Sequence, residues 1–272
     1  MKHLGYTTLV LLVATLAACS GQSSASSNSG ATPAAEATAA VASAATPSAS
    51  LVAAATATAS PGVAVKTVTF SDINGVFAEQ AIRDLAALGV FESTSGAFGP
   101  SKTISRALFV RWLVKADDVF NKDPAHQIRL AEDKVATFVD VPASQPDFKY
   151  VQGLANSGYV IGIDAKHFQP GRPITREEMV AIKAQVDEGG TITPVDVMFI
   201  SGFGDAKSVN KRYTGAIHED SSVRTSHNIG RVYGNIKMLQ PQKPVTRAEA
   251  AIALSVIADK SAAVTLGRTP AP

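Results

Sequence analysis

Apolar residues recur with helical spacing between about residues 66 and 258. In two stretches, apolar residues three positions apart precede a glycine: Ile82, Leu85, Leu88 and Gly89, and then Val151, Leu154 and Gly158. This spacing places the apolar side chains on one face of a helix, and glycine readily adopts the left-handed conformation that ends one. The pattern therefore predicts two short amphipathic helices.

Three further stretches are apolar over a broader face. Their apolar residues are Phe109, Trp112 and Leu113; Met179, Val180 and Ile182; and Ala250, Ala251, Leu254 and Ile257. Each stretch follows a residue that caps helices: Ser105, Thr175 or Thr246. A glutamate three residues later completes a capping box in the second and third stretches, whereas Leu108 stands there in the first. None of these helices could bury so broad a face alone. The predicted fold is therefore all-α, with three helix-loop-helix units around a pseudo-threefold helical bundle.

The same order of motifs occurs three times along the chain. Each copy has a Phe-x-Asp step, a loop that ends in proline, and an arginine after the helix cap; the prolines are Pro100, Pro170 and Pro241, spaced by 70 and 71 residues. Such regular recurrence is typical of internal repeats. We assign the repeats to residues 66–125, 135–190 and 200–260, followed by a disordered tail at 261–272.

The N-terminal segment has the pattern of an export signal. It begins with a short positively charged stretch, and residues 9–16 are mostly apolar but too few to span a bilayer. The sequence Ala17-Ala18-Cys19 that follows resembles the end of a bacterial lipobox. This resemblance implies that residues 1–18 are removed and that the thiol of Cys19 is joined to diacylglycerol. The alternative is an ordinary secretory signal with a chance cysteine.

Residues 20–64 consist almost entirely of Ala, Ser, Thr, Pro and Gly, with Glu36 as the only charge. Such a segment cannot bury enough apolar surface to offset its ordering entropy. We therefore expect residues 19–64 to form a disordered tether between the lipid and the repeats. A flexible coil of this length spans about 35–40 Å.

Composition argues against several classes of function. With 25 basic and 23 acidic residues, the chain has no basic excess that would suggest a nucleic-acid partner. A single cysteine excludes an internal disulfide and a cysteine metal cluster. His167 lies near Asp164, but there is no nucleophile motif, zinc-protease motif or phosphate loop. We therefore expect a protein that is not an enzyme and that needs no cofactor or metal.

The motifs together resemble the S-layer homology family over about residues 68–258. That family carries F-x-D, a glycine-ended helix, F-x-P and T-R-A-E, which appear here as Phe70-Ser71-Asp72, Phe168-Gln169-Pro170 and Thr246-Arg247-Ala248-Glu249. The run from Gln240 to Ala251 is similar to the cyanobacterial lipoprotein branch. The resemblance implies that the repeats bind cell-wall polysaccharide, often carrying pyruvate ketals, in grooves between repeats.

Three sets of residues are candidates for glycan binding. They are Arg106, Arg176 and Arg247; Asp72, Asp140 and Asp205; and Gly89, Gly158 and Gly234. An arginine in the first helical turn can hold a carboxylate with its planar fork, beside the free N–H groups of that turn. The aspartates either accept hydrogen bonds from sugar hydroxyls or cap nearby backbone N–H groups. The glycines either admit a sugar close to the backbone or serve turn geometry.

The third copy departs most from the pattern. Residues 206–228 form an insertion, the stretch from Gly234 to Pro241 is shortened, and the links at 114–137 and 183–202 are long. We therefore expect Arg176→Ala to weaken glycan binding most and Arg247→Ala least. Folding should hardly change, because surface substitutions shift stability by about half a kcal/mol or less.

The expected function is that of a lipid-anchored protein of the bacterial cell envelope. Its repeats would bind cell-wall polysaccharide or a peptidoglycan-linked acidic glycan and so tie membrane to wall. The alternative is a scaffold in which degraded repeats keep the fold, bind no glycan and hold a protein partner.

The lipobox resemblance leads to a direct test at Cys19. Replacing Cys19→Ser removes the only thiol to which the lipid could be joined, so the variant should leave the membrane fraction, and mass spectrometry should find acyl groups on the wild type alone. A wild type without acyl groups, together with a variant that still fractionates with membrane, would contradict the lipid anchor.

Overall fold

The structure is a computed structural model of the whole chain, and it describes residues 65–124, 127–159, 162–222 and 227–268. These residues are mostly helical, as the apolar spacing predicts, with two small sheets of two strands each. The expected signal segment, Cys19 and the tether lie outside the described residues.

The first repeat contains strand β1 (Thr69–Phe70), helix α1 (Glu79–Ala87), strand β2 (Ser95–Gly96) and helix α2 (Arg106–Phe120). The two strands pair in parallel. Ile82 and Leu85 are completely buried, which confirms the apolar face predicted for α1. That helix gives way to Gly89 in the left-handed region, at φ 81°, where a residue with a Cβ would be strained.

The second repeat contains helix α3 (Phe148–Asn156) and helix α4 (Arg176–Glu188). Val151 and Leu154 are buried, as predicted. The glycine after α4 ends it in the left-handed conformation, since Gly189 has φ 69°. Residues 183–188 of the long link expected at 183–202 are therefore the last part of α4.

The third repeat contains helix α5 (Thr214–Ser222), helix α6 (Asn228–Tyr233) and helix α7 (Arg247–Leu254). In the region expected to be an insertion, 206–228, the described residues 206–222 thus include two short 3-10 helices and α5. Helix α5 packs against α4 and buries Ile217 completely. Gly215 also lets α5 approach the segment that follows α4, because a Cβ there would meet the carbonyl oxygen of Thr193 at 2.0 Å.

The described C-terminal residues are ordered as well. Strand β3 (Val256–Ile257) pairs with strand β4 (Lys260–Ser261), and helix α8 (Ala262–Thr265) follows. Arg268 forms an ion pair with the buried Asp84 of α1. The expectation of a disordered tail from residue 261 is therefore wrong for residues 261–268, because α8 packs against α1.

Main-chain hydrogen bonds join the three repeats in a closed cycle just before the second helices. The N–H of Ile104 donates to Val245 O at 3.0 Å, that of Ile174 donates to Ile104 O at 3.0 Å, and that of Val245 donates to Ile174 O at 2.9 Å. All three side chains are completely buried. Each repeat therefore satisfies the backbone of another, and no repeat completes this contact alone.

The helix caps beside this cycle agree with the sequence pattern. Ser105 Oγ accepts the N–H of Leu108 at 3.3 Å. Glu178 accepts the N–H of Thr175 at 3.0 Å, and Glu249 accepts that of Thr246 at 2.7 Å. The glutamates of both predicted capping boxes therefore reach back to their helix caps, and α2 has only the Ser105 half of a box.

Residues 261–268 should contribute to stability, and truncation tests this. A chain that ends at Lys260 loses the burial of Ala262 and the ion pair between Arg268 and Asp84. Removing the partner of a buried charge is costly, so we expect a clearly lower melting temperature in circular dichroism. A chain that ends at Arg268 retains these contacts and is the matched control. Equal melting temperatures for the two truncations would contradict the packing of this segment.

Candidate functional site

The three aspartates hold the loops that precede the prolines of their own repeats. Asp72 accepts the N–H groups of Phe98 at 2.7 Å and Gly99 at 2.8 Å. These bonds, the one from Gly99 foremost, lower the pKa of Asp72. The equivalent donors are Phe168 and Gln169 for Asp140, and Leu239 and Gln240 for Asp205. The aspartates therefore do accept hydrogen bonds from backbone N–H groups, but these belong to loops distant in sequence rather than to the helices that follow.

The three glycines all adopt positive φ. The angles are 81° at Gly89, 87° at Gly158 and 73° at Gly234, so turn geometry requires a glycine at each position. A Cβ at Gly158 or Gly234 would meet no atom within 4 Å. The backbone at these two turns is therefore open to a ligand. Lys66 Nζ lies near Gly89, at 3.4 Å from the position of such a Cβ.

Arg106 is completely buried and contacts the second repeat. Its Nε donates to Phe168 O at 2.8 Å, its Nη1 lies 3.0 Å from Glu178 Oε2, and the guanidinium carbon lies 4.9 Å from the centre of the Phe168 ring. Burial would raise the pKa of Glu178, but the charge of Arg106 and a hydrogen bond from Arg172 outweigh this and lower it. Arg106 is therefore an internal link between repeats.

Arg176 links the second repeat to the third in the same way. Its Nη1 donates to Leu239 O at 3.1 Å, and its Nη2 lies 3.2 Å from Glu249 Oε1. The guanidinium carbon lies 3.9 Å from the centre of the Tyr233 ring. Because only 8% of Arg176 is exposed, the expectation that this arginine is a surface residue is wrong, as it is for Arg106. We therefore expect the replacement of either arginine to affect folding.

Arg247 has a different environment, although it occupies the equivalent position between the third repeat and the first. Its guanidinium carbon lies 4.7 Å from the centre of the Phe98 ring and 4.9 Å from that of Trp112. Within the described residues its side chain has no ion pair, and its buried Nε, like that of Arg176, has no hydrogen-bond partner. Burial lowers the pKa of Arg247, while the charges of Glu92 and Asp72 act in the opposite direction.

The difference follows from one residue in the first repeat. Arg106 and Arg176 each pair with the glutamate in the third position of the next second helix, Glu178 or Glu249. The position that corresponds for Arg247 is Leu108, in α2. The nearby Glu92 accepts a hydrogen bond from the indole N–H of Trp112 at 3.0 Å. In the described part of the groove between the third and first repeats, no glutamate therefore stands where Glu178 and Glu249 stand in the other two.

Sequence reasoning identified the three arginines but not the aromatic rings that pack against their guanidinium groups. Phe168, Tyr233 and the pair Phe98 and Trp112 form the aromatic floors of the three contacts. The absence of a glutamate at Leu108 was visible as an incomplete capping box. The sequence did not show that Leu108 deprives Arg247 of a partner, because the order of the repeats around the cycle determines which helix each arginine contacts.

No cluster of three or more His, Cys, Asp or Glu side chains in residues 65–124, 127–159, 162–222 and 227–268 could hold a metal ion. None of the helices in the same ranges is long and apolar enough to cross a membrane.

Comparisons with known proteins agree with the repeat pattern. The model of the S-layer homology domain matches residues 69–107, 137–180 and 236–251. The chain is 28% identical over 202 residues to exoglucanase XynX of Acetivibrio thermocellus, which covers 74% of this chain and 17% of that protein. It is 30% identical over 190 residues to the surface-layer 125 kDa protein of Lysinibacillus sphaericus, which covers 68% of this chain and 14% of that protein.

The chain thus spans less than a fifth of the length of these relatives. A relative whose name indicates an enzyme shares with it the binding module and not the rest of the protein. Proteins with this domain belong to the cell envelope or surface, and the domain generally binds the cell wall. With matches in all three repeats, the chain belongs to the S-layer homology family.

Proposed function

We propose that this chain binds an acidic cell-wall glycan without catalysing a reaction, and that Arg247 holds an acidic group of the glycan. One observation supports this choice of site: among the residues that the structure describes, Arg247 forms no ion pair with a carboxylate, whereas Arg106 and Arg176 form one each. A carboxylate on the glycan, such as that of a pyruvate ketal, would take the place that glutamate has in the other two grooves. Arg247→Ala would then weaken glycan binding most, whereas the sequence alone leads us to expect the largest effect from Arg176→Ala and the smallest from Arg247→Ala.

The chemistry of the groove favours an anion with two oxygens. A guanidinium presents its donors in a planar fork that matches a carboxylate, and it remains charged at any physiological pH. Phe98 and Trp112 lie against the Arg247 guanidinium and restrict its orientation before a ligand arrives. Such preorganisation reduces the entropic cost of binding.

The remaining candidates would shape the grooves. Asp72, Asp140 and Asp205 fix the loops beside the arginines, and their free lone pairs could accept hydrogen bonds from sugar hydroxyls. Gly89, Gly158 and Gly234 would allow a sugar to approach the backbone. Arg106 and Arg176 would mainly maintain the shape of their own grooves, because their charges are already paired.

The proposal includes a pseudo-threefold arrangement of α2, α4 and α7. The cyclic hydrogen bonds of Ile104, Ile174 and Val245 support it. It also includes the lipid on Cys19 and the tether at 19–64, which would connect the glycan-binding repeats to a membrane. The partners are then a wall polysaccharide or peptidoglycan-linked glycan on one side and a membrane on the other.

Two substitutions test the Arg247 groove. Arg247→Ala removes the fork, and Leu108→Glu supplies an internal carboxylate that competes with the ligand. Each should weaken binding of wall polysaccharide about 10- to 100-fold in calorimetric titration, since a hydrogen bond to a charged group is worth about 1.5–3 kcal/mol. Leu108→Gln is the matched control, because it has the same shape as glutamate without the charge, and it should bind nearly as the wild type does.

Arg106→Ala distinguishes the loss of a ligand contact from the loss of an internal one. It breaks a buried ion pair, which costs about 3–5 kcal/mol, so its melting temperature should fall well below that of Arg247→Ala. If Arg247→Ala and Leu108→Glu both bind the polysaccharide like the wild type, the glycan is not held at this groove.

A further inference from the structure

A second group of polar side chains lies at the buried junction of α4, α5 and α6, outside the arginine contacts. It consists of Lys183, Asp187, Asp220, Asn228 and Arg231. Lys183 and Asn228 are completely buried, and the side chains of Asp187 and Asp220 are almost so. Neither the helix pattern nor the proposed glycan site accounts for so many buried polar groups.

Asp187 connects the lysine to the asparagine. Its Oδ1 forms an ion pair with Lys183 Nζ, and its Oδ2 accepts the Asn228 Nδ2 at 2.9 Å. The same Nδ2 donates to Asp220 Oδ1 at 2.7 Å. The side-chain oxygen Oδ1 of Asn228 accepts a hydrogen bond from Arg231 Nη1 at 3.3 Å. One carboxylate therefore contacts both a buried amine and the amide nitrogen of a buried carboxamide.

We propose that Lys183 and Asn228 become joined by an intramolecular isopeptide bond. Each reacting group has a suitable partner. Asp187 can act as the base for the amine, and the Arg231 guanidinium can stabilise negative charge on the side-chain oxygen of Asn228. The departing nitrogen donates hydrogen bonds to the carboxyl groups of Asp187 and Asp220. Holding such groups together converts a slow bimolecular reaction into an intramolecular one.

The reaction balances without any external reagent. The Lys183 ammonium gives one proton to Asp187, and the Nζ lone pair attacks Cγ of Asn228, which places negative charge on Oδ1 beside Arg231. A second proton leaves Nζ and reaches Nδ2 through the Asp187 carboxyl. The bond between Cγ and Nδ2 then breaks, ammonia departs, and an amide joins Nζ to Cγ. Nothing is oxidised or reduced.

The surroundings favour the neutral forms that this chemistry needs. Burial lowers the pKa of Lys183 and raises that of Asp220, because a low dielectric disfavours charged groups. A neutral amine is the nucleophilic form of lysine. The protonated form of Asp220 could also supply a proton to the departing nitrogen.

The bond would link the second repeat to the third covalently, from α4 to α6. This is the side of the fold where the third repeat departs most from the others. A covalent link there would resist local opening and proteolysis in a protein that has a single cysteine and no internal disulfide.

Peptide mapping of the purified, folded full-length chain tests this directly. Trypsin should not cleave after Lys183, and tandem mass spectrometry should find a branched peptide that joins Lys183 to Asn228 and is one ammonia lighter than its two linear parts. Two linear peptides with an unmodified Lys183 would overturn the proposal. A peptide that is one water lighter, with Lys183 joined to Asp187, would also overturn it.

Variants identify the roles of the groups. Lys183→Arg keeps a cation beside Asp187 but has no nucleophilic amine, and Asp187→Asn removes the base. Both should yield only linear peptides, with helical circular dichroism as the check on folding and a lower melting temperature than the wild type. Lys166→Arg, at an exposed lysine, is the matched control and should retain the branched peptide.

Discussion

The closed cycle of main-chain hydrogen bonds among Ile104, Ile174 and Val245 determines how the repeats are arranged. Because each donates to a neighbour in the cycle, the buried backbone of any one repeat is satisfied only when the other two are present. The cycle also sets the position of the arginine two residues after each of these apolar residues. Every such arginine lies against aromatic rings of the next repeat. The fold and the candidate site therefore depend on the same contact.

A single difference between the repeats, glutamate or leucine at the third position of the second helix, decides whether the neighbouring arginine has an internal partner. A buried guanidinium is stable only when it is paired. Glu178 and Glu249 provide that pairing for Arg106 and Arg176, and Leu108 cannot provide it for Arg247. Two contacts then serve the stability of the fold, and the third retains a cation that an external carboxylate could pair. The first repeat has Leu108 where a complete capping box has glutamate. The loss of this glutamate would thus leave Arg247 of the third repeat able to bind a carboxylate of the glycan.

The sequence predicted those features that local physics controls. Helical spacing located the buried faces of α1 and α3, and the Thr-x-x-Glu pattern located the capping boxes of α4 and α7. It could not predict the burial of Arg106, because the partners Phe168 and Glu178 are distant in sequence and the same residue on an isolated helix would be solvated. Helix α5 was missed because its apolar periodicity is weak, and its packing depends on the contact between Gly215 and Thr193.

The central claim is that the repeats recognise acidic groups on wall glycan. It is tested most directly by sedimenting the full-length protein with purified wall sacculi before and after mild acid has removed their pyruvate ketals. The account predicts that the protein sediments with untreated sacculi and remains in solution with treated ones. Equal sedimentation with both would contradict recognition of the ketal, and no sedimentation with either would favour a scaffold that binds a protein partner.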